Sequence, residues 1–278
     1  MTSAPPPNAL SYLGHATVML RIDGLNVLTD PVLGDRVLYL RRMGMISGRK
    51  WLAQQPKPDV ILLSHLHLDH FHLPTLRRLP KDIPIILPRG AARWLRPMVP
   101  QPLIELSVGE EKTFGNVTIT VTRAVHGNDP PKTVLDLAQG YFLKGSHTIY
   151  FPGDTDIFPE MDEMCEYGLD VAMLPIWGWG PTLGKGHMNP QRAAEALTQL
   201  CPRIAIPIHW ASFRPLGPIW ELFNFLHRPG PEFVQHAAEI APDTCVHLLK
   251  PGDSLILDDG TDIPCDKLPD DNAVLPDD

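Results

Sequence analysis

The chain has 278 residues, of which 44% are apolar and 20% charged, and this composition is typical of a globular protein with a substantial core. No apolar run reaches the ~18 residues that a membrane-spanning helix needs, and the opening MTSAPPPNAL lacks the basic start and apolar centre of a secretory signal. The formal charge of −8 is concentrated at one end, because residues 258–278 hold eight aspartates against one lysine. We therefore expect a cytoplasmic protein with no transmembrane segment and a nearly neutral body.

The first half of the chain is dominated by predicted strands. In ALSYLGHATVMLRIDGLNVLTD, apolar and polar positions alternate around a DG turn, which indicates antiparallel strands. DVILLS is a short buried strand that leads directly into a group of histidines. IPIILP, VTITVTRAVH and the hairpin GYFLKGSHTIYFPGDTD are further strands, and LPTLRRL and GAARWLR are short helices.

In the second half, strands alternate with helices. DVAMLPI and RIAIPIHW are predicted strands, whereas NPQRAAEALTQL is a predicted helix with Asn189 as its N-cap and Pro190 at its first position. PIWELFNFLHR and PEFVQHAAEIA are further helices, and CVHLLKPGDSLIL indicates a final hairpin. This order predicts one α/β domain of packed sheets covered by helices over residues 1–257, followed by an acidic tail over residues 258–278.

Four histidines and an aspartate crowd into SHLHLDHFH, residues 64–72, although the whole chain has only 12 histidines. The cluster follows a buried strand, whose rigid sheet fixes the backbone so that the side chains can converge. His65 and His67 can reach one cation, and Asp69 and His70 are displaced along the turn toward a second. Two divalent ions ~3.5–4 Å apart need anionic oxygen between them. Imidazole and carboxylate suit zinc, manganese and iron, and we take zinc as the expected metal.

Three further candidate ligands stand at the ends of predicted strands: His126 after VTRAV, Asp154 in YFPGDT and His209 in IAIPIHW. Residues at the carboxyl ends of strands can meet in space although they are far apart in sequence. The pattern predicts two metal ions per chain with Asp154 bridging them. The predicted ligands are His65, His67 and His126 for one metal, and Asp69, His70 and His209 for the other.

The order of HLHLDH, a later histidine, GDT and a final histidine resembles the metallo-β-lactamase superfamily of metallohydrolases. YLGHATVMLRIDGLNVLTDPVL, GHMNPQRAAEA and IHWASF are similar to one branch of it, the N-acylphosphatidylethanolamine phospholipase D-like proteins and the related ascorbate-6-phosphate lactonases. The matching segments run from about residue 10 to residue 214. The resemblance implies a four-layered αββα sandwich with the metal site at one edge between the sheets, the same ligands, and Asp30 close to the site.

Departures from other branches narrow the expected function. Many true β-lactamases have a cysteine among their zinc ligands, whereas Asp154 occupies the bridging position here, which disfavours lactam hydrolysis. Flavin-linked di-iron relatives have a glutamate at the position of His67 and a flavodoxin domain, and both are absent from this sequence, which disfavours oxidoreductase chemistry. RNA-processing relatives carry an RNA-binding arm or a second domain, and nothing here resembles either. We therefore expect no nucleic-acid partner.

These observations predict a dinuclear metal-dependent hydrolase whose metal-bridging hydroxide attacks a phosphodiester or another anionic substrate, either a small molecule or a lipid-like one. Asp69 is expected to orient the hydroxide. His187, in GHMNP before a helix, is expected to contact the scissile group or to protonate the leaving group, with capping of its loop as the alternative. A lactonase or carboxylic ester hydrolase on the same metals is a second possibility. A metal-dependent sensor or a structural metal site is a third, although a structural site needs only four ligands.

The surroundings of the cluster give further predictions. The basic, glycine-containing segment 34–56 indicates a flap over the site. For this basic segment and for a second one over residues 77–96, we expect solvated surface, with a positive rim around an anionic substrate as the alternative. Trp177 and Trp179 predict an aromatic wall against an apolar substrate portion, with core packing of one of the two as an equal alternative. Peripheral membrane contact and a homo-oligomer are left open.

Two other histidines and the cysteines are given structural roles. His15 and His72 are expected to pack or to support ligands rather than to bind the metal. The four cysteines are scattered and form no CxxC pair, which predicts reduced thiols rather than disulfides or a thiolate site.

Overall fold

The computed structural model of the protein describes residues 6–43, 50, 53–128, 130–217 and 226–257. The strands within these residues are β1 (Ala9–Gly14), β2 (Thr17–Ile22), β3 (Leu25–Thr29), β4 (Arg36–Val37), β5 (Leu40–Arg42), β6 (Val60–Leu62), β7 (Ile85–Pro88), β8 (Leu103–Leu106), β9 (Glu111–Phe114), β10 (Val117–Arg123), β11 (Gln139–Lys144), β12 (Thr148–Phe151), β13 (Val171–Pro175), β14 (Ile204–Ile208), β15 (Phe213–Pro215), β16 (Cys245–Val246) and β17 (Ser254–Ile256). The α-helices are α1 (Leu73–Leu76), α2 (Ala92–Leu95), α3 (Pro190–Leu200) and α4 (Pro229–Ile240), and the 3₁₀ helices are Val134–Asp136 and Pro159–Tyr167.

The first sheet has seven strands in the order β17-β1-β2-β3-β6-β7-β8. The strands β17, β1, β2 and β3 pair antiparallel, whereas β3, β6, β7 and β8 pair parallel. The DG turn between β2 and β3 has Asp23 at φ 49° and Gly24 at φ 83°, the left-handed pair that a two-residue hairpin turn requires. In the parallel half of this sheet, β6 ends where the histidine cluster begins.

The second sheet also has seven strands, in the order β16-β14-β13-β12-β11-β10-β9. Here β9 to β12 pair antiparallel, and β12, β13, β14 and β16 pair parallel. A small third sheet, β15-β5-β4, is built from the segment after His209 and the hairpin over residues 36–42. The carboxyl ends of β6, β10, β12 and β14 carry the predicted metal ligands.

Apolar side chains fill three layers. Between the two large sheets, residues such as Leu20 and Leu62 pack against residues such as Leu143 and Phe151, all fully buried. The helices α3 and α4 cover the outer face of the second sheet, and α1 and α2 cover the outer face of the first. The predicted four-layered αββα order is therefore confirmed. Among the described residues, no helix combines the length and the apolar character needed to span a bilayer.

The helix predicted at NPQRAAEALTQL begins as its sequence indicates. The Asn189 side chain accepts a hydrogen bond from the Arg192 N–H, and Pro190 occupies the first turn. The helix ends at Cys201, which has φ 48°. The helices predicted at LPTLRRL and GAARWLR also form, but each has only four α-helical residues.

The final hairpin predicted at CVHLLKPGDSLIL is wrong. Its first strand, β16, pairs with β14 at the edge of the second sheet, whereas β17 pairs with β1 at the edge of the first. The turn between them therefore crosses from one sheet to the other. Alternation of apolar and polar residues indicates a strand but not which sheet edge will accept it.

The prediction of reduced cysteines is also wrong. Cys165 and Cys201 form a disulfide, with Cα atoms 5.1 Å apart, although 36 positions separate them in sequence. Cys165 lies in the 3₁₀ helix Pro159–Tyr167 and Cys201 is the C-cap of α3, so the fold brings the ends of these helices together. No described cysteine is a free thiol.

Three predicted segments fall partly or wholly outside the described residues. They are most of the predicted helix PIWELFNFLHR, much of the segment 34–56, and the acidic tail over residues 258–278. The described part of segment 34–56 forms the β4–β5 hairpin. Arg42 stabilises this hairpin, because its guanidinium donates hydrogen bonds to the carbonyls of Leu13, Val32 and Gly34.

Candidate metal centre

All seven predicted ligands lie together where β6, β10, β12 and β14 end. The loop after β6 supplies four of them and the other strands supply one each. Their ring and carboxylate atoms form overlapping groups in which every ligand atom lies within 4.8 Å of the others. The side chains are largely withdrawn from solvent: His65 and His70 are 0% exposed and Asp154 2%. The ends of parallel strands thus deliver distant residues to one edge, as the sequence indicates.

The first half-site contains His65, His67 and His126. The His67 Nδ1 atom lies 3.0 Å from the His126 Nε2 atom, and the His65 and His126 rings are 4.6 Å apart between centroids. His65 Nε2 is buried and has no hydrogen-bond partner. Three imidazole nitrogens therefore lie within 4.8 Å of one another, a donor set that can hold a divalent metal and leave a position for a further ligand.

The second half-site contains Asp69, His70 and His209. The Nε2 atoms of His70 and His209 face each other at 2.9 Å, and the Asp69 Oδ2 atom lies 3.7 Å from the His209 Nε2 atom. Two imidazole nitrogens at this distance need either a shared proton or a cation between them. The carboxylate completes a set of two imidazoles and one oxygen, which divalent zinc, manganese and iron accept.

Asp154 lies between the two half-sites. Its Oδ2 atom is 3.9 Å from His65 Nε2 and 3.2 Å from His70 Nε2, and its Oδ1 atom is 3.2 Å from His209 Nε2. Oδ1 is buried and makes no hydrogen bond. A buried carboxylate oxygen without a hydrogen-bond partner is costly unless a cation compensates it. The position and chemistry of Asp154 thus fit a carboxylate shared by two metals.

Hydrogen bonds outside the cluster orient three of the ligand histidines through their Nδ1 atoms. His70 Nδ1 lies 2.7 Å from Asp30 Oδ2, His126 Nδ1 lies 3.1 Å from the Gly186 carbonyl, and His209 Nδ1 lies 2.8 Å from the Trp177 carbonyl. Each of these Nδ1 atoms faces an acceptor and therefore donates. The Nε2 atoms are left to face the cluster, the orientation in which histidine binds metals.

His65 is oriented by a relay through Ser64. The Ser64 hydroxyl donates to Asp30 Oδ2 at 2.6 Å, and His65 Nδ1 lies 2.9 Å from the same hydroxyl. Because the serine proton goes to the carboxylate, His65 Nδ1 donates to the serine oxygen and its Nε2 lone pair faces the cluster. Asp30, predicted to be close to the site, therefore orients a ligand in each half-site.

Charges around the cluster are coupled. Burial opposes the charged form of His70, yet Asp154 and Asp30 raise its pKa well above the ordinary value. Burial also opposes ionisation of Asp154, but His209 and His70 hold its pKa well below the ordinary range. Burial lowers the pKa of His126 to about 4. The cluster is thus a buried ionised carboxylate surrounded by imidazoles, which favours a cation.

His187 lies beside Asp154 as well. Its Nε2 atom is 3.2 Å from Asp154 Oδ2, and its ring centroid is 4.7 Å from that of His126. Its Nδ1 atom faces the Gly184 carbonyl at 3.3 Å. Burial opposes protonation, but the hydrogen bond to Asp154 raises the pKa of His187. The ring remains 19% exposed and lines the cavity above the cluster, where a substrate can reach it.

His72 does not join the cluster. Its Nδ1 atom lies 2.7 Å from Thr75 Oγ1, and the residue is the N-cap of α1, so it packs this turn as predicted. His15 does join it: its Nε2 atom lies 3.1 Å from Asp69 Oδ2. Sequence reasoning placed His15 near the ligands but did not identify Asp69 as its partner.

A cavity of about 460 Å³ opens above the cluster. One wall is the β4–β5 hairpin with Val37, Leu38, Tyr39 and Leu40, and the opposite wall is the segment 178–184 with Trp179 and Leu183. The Tyr39 and Trp179 rings meet edge to face at 5.7 Å across it. The aromatic wall predicted for Trp179 is therefore present.

Trp177 and the described basic side chains lie outside the cavity lining. Trp177 is not part of the cavity lining; its indole instead donates to the Gly180 carbonyl. The described lining also contains no lysine or arginine, so the alternative of a positive rim is not found there. In the hairpin, Arg36 and Arg41 are exposed on the face opposite the buried Val37 and Leu40, because side chains alternate along a strand.

A model of the beta-lactamase superfamily domain matches residues 25–210. The chain belongs to the metallo-β-lactamase superfamily. It is 28% identical over 263 residues to a metal-dependent hydrolase from Rubrobacter xylanophilus, with 88% of this chain and 95% of that protein covered. It is 29% identical over 231 residues to N-acyl-phosphatidylethanolamine-hydrolyzing phospholipase D 1 from Caenorhabditis elegans, with 74% and 64% covered.

Solved structures show the same fold in this superfamily. Igni18, a metallo hydrolase from Ignicoccus hospitalis, superposes with a TM-score of 0.70 at 22% identity, covering 90% of this chain and 98% of that one. The chain spans 61% of the length of mycobacterial relatives that it matches at 31% identity. The family model thus gives the superfamily, and within it the chain is similar to metal-dependent hydrolases and to a phospholipase D.

Proposed function

We propose that the protein is a dinuclear hydrolase that cleaves a phosphodiester or a similar anionic ester. The observation that supports this most directly is the convergence of imidazole nitrogens on either side of the buried carboxylate of Asp154. Seven donors are more than one closed structural site requires. Two half-sites that share a carboxylate match the arrangement that two-metal hydrolases use.

The residues that would hold the metals are assigned by their facing atoms: His65, His67 and His126 for one, Asp69, His70 and His209 for the other, with Asp154 shared. We expect zinc, with manganese or iron as alternatives, since the donors are imidazole and carboxylate. Such cations supply a water molecule of lowered pKa and a Lewis acid for the phosphoryl or carbonyl oxygen.

Two side chains act on the reacting atoms. Asp69 lines the cavity, where its carboxylate can accept a hydrogen bond from the attacking water and orient it. His187 also lines the cavity, with a raised pKa and with Nε2 3.2 Å from Asp154 Oδ2. It holds a proton at Nε2 that can be given to the leaving oxygen. The chain thus places an acceptor and a donor around one point.

The cavity walls suggest what the substrate looks like. The wall residues are mainly apolar or aromatic, and the described lining residues offer no lysine or arginine to pair with additional negative charges. This favours a substrate with one negative charge at the reacting group and an apolar portion, which a phosphodiester of lipid-like type satisfies. Beside the cavity, Leu38 is 70% and Leu68 50% exposed, which is compatible with peripheral contact with a membrane.

A neutral carboxylic ester or lactone is the second candidate substrate. The same lack of cationic side chains in the described lining favours it, because such a substrate brings no charge into the cavity. A non-enzymatic metal sensor is a third possibility, against which the open cavity above the cluster argues.

The test compares hydrolysis of bis(p-nitrophenyl) phosphate with that of a lactone and a p-nitrophenyl carboxylic ester, each with a chelator-treated control. We expect about two metals per chain by elemental analysis and turnover of the phosphodiester. Asp69→Ala should abolish turnover while the fold is kept, whereas Asp243→Ala, at an exposed position after α4, should not. One metal or fewer after metal-replete purification would contradict the dinuclear site. Turnover of the lactone or ester alone would support the second candidate.

A further inference from the structure

His15 contacts the second half-site. It is buried and does not line the cavity. It lies in the turn between β1 and β2 and is 1% exposed. Its ring lies tilted against that of His209, with 3.8 Å between centroids, and Phe213 meets it edge to face at 5.1 Å. One ring nitrogen, Nε2, lies 3.1 Å from Asp69 Oδ2. The other, Nδ1, is buried and has no hydrogen-bond partner.

The unequal surroundings of the two nitrogens decide where the ring proton sits. A proton on Nδ1 would leave a buried N–H without an acceptor and place a lone pair of Nε2 against a carboxylate oxygen. A proton on Nε2 makes a charge-assisted hydrogen bond to Asp69 and leaves only a lone pair unpaired at Nδ1. The second arrangement is the more favourable one. A nitrogen that carries this proton cannot bind a metal.

We propose that His15 is a positioning residue that donates from Nε2 to Asp69 and thereby fixes the carboxylate for the second metal. This proposal rests on the second metal site of the proposed function. The hydrogen bond occupies Oδ2 on the side of His15, so the carboxylate is held in one orientation as it faces His70 and His209. Carboxylate ligands are commonly oriented by such a partner, which contributes about 10- to 100-fold to metal affinity.

The backbone of His15 links it to a second ligand of the same half-site. The His15 carbonyl accepts from the His209 N–H at 3.0 Å, and the Ser212 hydroxyl accepts from the His15 N–H at 2.6 Å. His15 therefore contacts Asp69 through its side chain and His209 through its backbone and ring. The rings that pack on His15 are those of His70, His209 and Phe213, and none of these belongs to the first half-site. Its loss should weaken the second metal site and spare the first.

The experiment measures metal binding, so it does not depend on finding a substrate. Zn²⁺ is titrated into the metal-free protein against a chromophoric chelator, and Co²⁺ absorption follows the second equivalent separately. The variants are His15→Ala, His15→Gln and the control His236→Gln on α4, which packs on the far face of the second sheet. The glutamine amide nitrogen can reach about as far as Nε2 and can donate to Asp69.

We expect His15→Ala to bind the second equivalent about 10- to 100-fold more weakly, with the first equivalent unchanged. His15→Gln should recover most of this affinity, and the control should behave as the unsubstituted protein. Two unchanged sites in His15→Ala would overturn the proposal and leave the proposed function standing. A loss in His15→Gln as large as in His15→Ala would also overturn it, since the ring would then act as a ligand or by packing. A single site in the unsubstituted protein would overturn both.

Discussion

Asp30→Asn tests whether the hydrogen bonds behind the ligands set metal affinity. The carboxylate is 0% exposed and accepts from the Ser64 N–H at 2.8 Å, from the Ser64 hydroxyl at 2.6 Å and from His70 Nδ1 at 2.7 Å. An asparagine of the same shape has one oxygen fewer. In either orientation its amide N–H₂ must face a group that needs an acceptor, namely Ser64 or His70.

The size of the effect follows from the number of bonds affected. Losing one hydrogen bond to a charged group costs about 1.5–3 kcal/mol. At 1.4 kcal/mol for each factor of ten, this is about 10- to 100-fold in affinity, which agrees with the usual effect of removing such a partner from a metal ligand. We expect the larger loss at the second half-site, because Asp30 contacts His70 directly and reaches His65 only through Ser64.

The assay is Zn²⁺ competition against a chelator, with thermal unfolding of the metal-free variant to establish that it is folded. Asp59→Asn is the matched control. Asp59 also accepts two hydrogen bonds, from the N–H and the side-chain amide of Asn26, but it is exposed and its partner lies outside the site. Unchanged affinity in Asp30→Asn at both sites would refute the reasoning, because it would mean that His70 and His65 keep their orientation without the carboxylate.

Two further predictions concern the backbone and pH. Gly186→Ala should lower the Zn²⁺ affinity of the first half-site by at least about 10-fold in competition, because a Cβ at φ +76° would lie 2.6 Å from the His126 Cα atom. The control is Gly109→Ala, with φ +84° and open space around it, which should not change the affinity. Burial opposes charge on His70, but its flanking carboxylates raise its pKa above the ordinary 6.5. The ion pairs therefore stabilise the metal-free protein fully below pH 6.5, and this stability is lost as pH rises through the raised pKa. Thermal melts with and without chelator should therefore show falling stability above about pH 6.5 in the chelated protein only, and equal profiles would contradict this.

The ligands could be predicted from sequence because their signal is local. The loop HLHLDH follows a short buried strand, and His126, Asp154 and His209 each end a strand with a recognisable apolar run. Strand ends converge at one edge of a parallel arrangement whatever the detailed register. The fold class follows similarly from the order of strands and helices, which leaves few ways of burying their apolar faces.

The partners behind the ligands could not be predicted in the same way. His126 and His209 donate to the carbonyls of Gly186 and Trp177, and a backbone carbonyl carries no residue signature. The disulfide joins positions that only the packed helices bring together, since the pair is 36 positions apart. For the basic segment over residues 34–56, the sequence left both solvated surface and a positive rim open, because composition does not show which face of a hairpin each side chain takes. Alternation along β4 and β5 turns Arg36 and Arg41 away from the cavity.

The two half-sites also differ in how the backbone holds them. His15, Asp30 and His209 all have left-handed backbone angles, with φ of 60°, 32° and 64°, although none is glycine. Such a conformation costs about 1–3 kcal/mol at each residue and persists only where surrounding bonds impose it. Hydrogen bonds impose these angles here: the Asp30 N–H donates to the Leu62 carbonyl at 2.9 Å, and the His209 N–H donates to the His15 carbonyl at 3.0 Å.

All three residues bind, orient or contact ligands of the second half-site. Because the sheets impose these angles before any metal arrives, the second half-site is preorganised by the fold. The first half-site depends on the approach of the Gly186 segment to His126, so local changes in that segment should act on the first metal and not on the second.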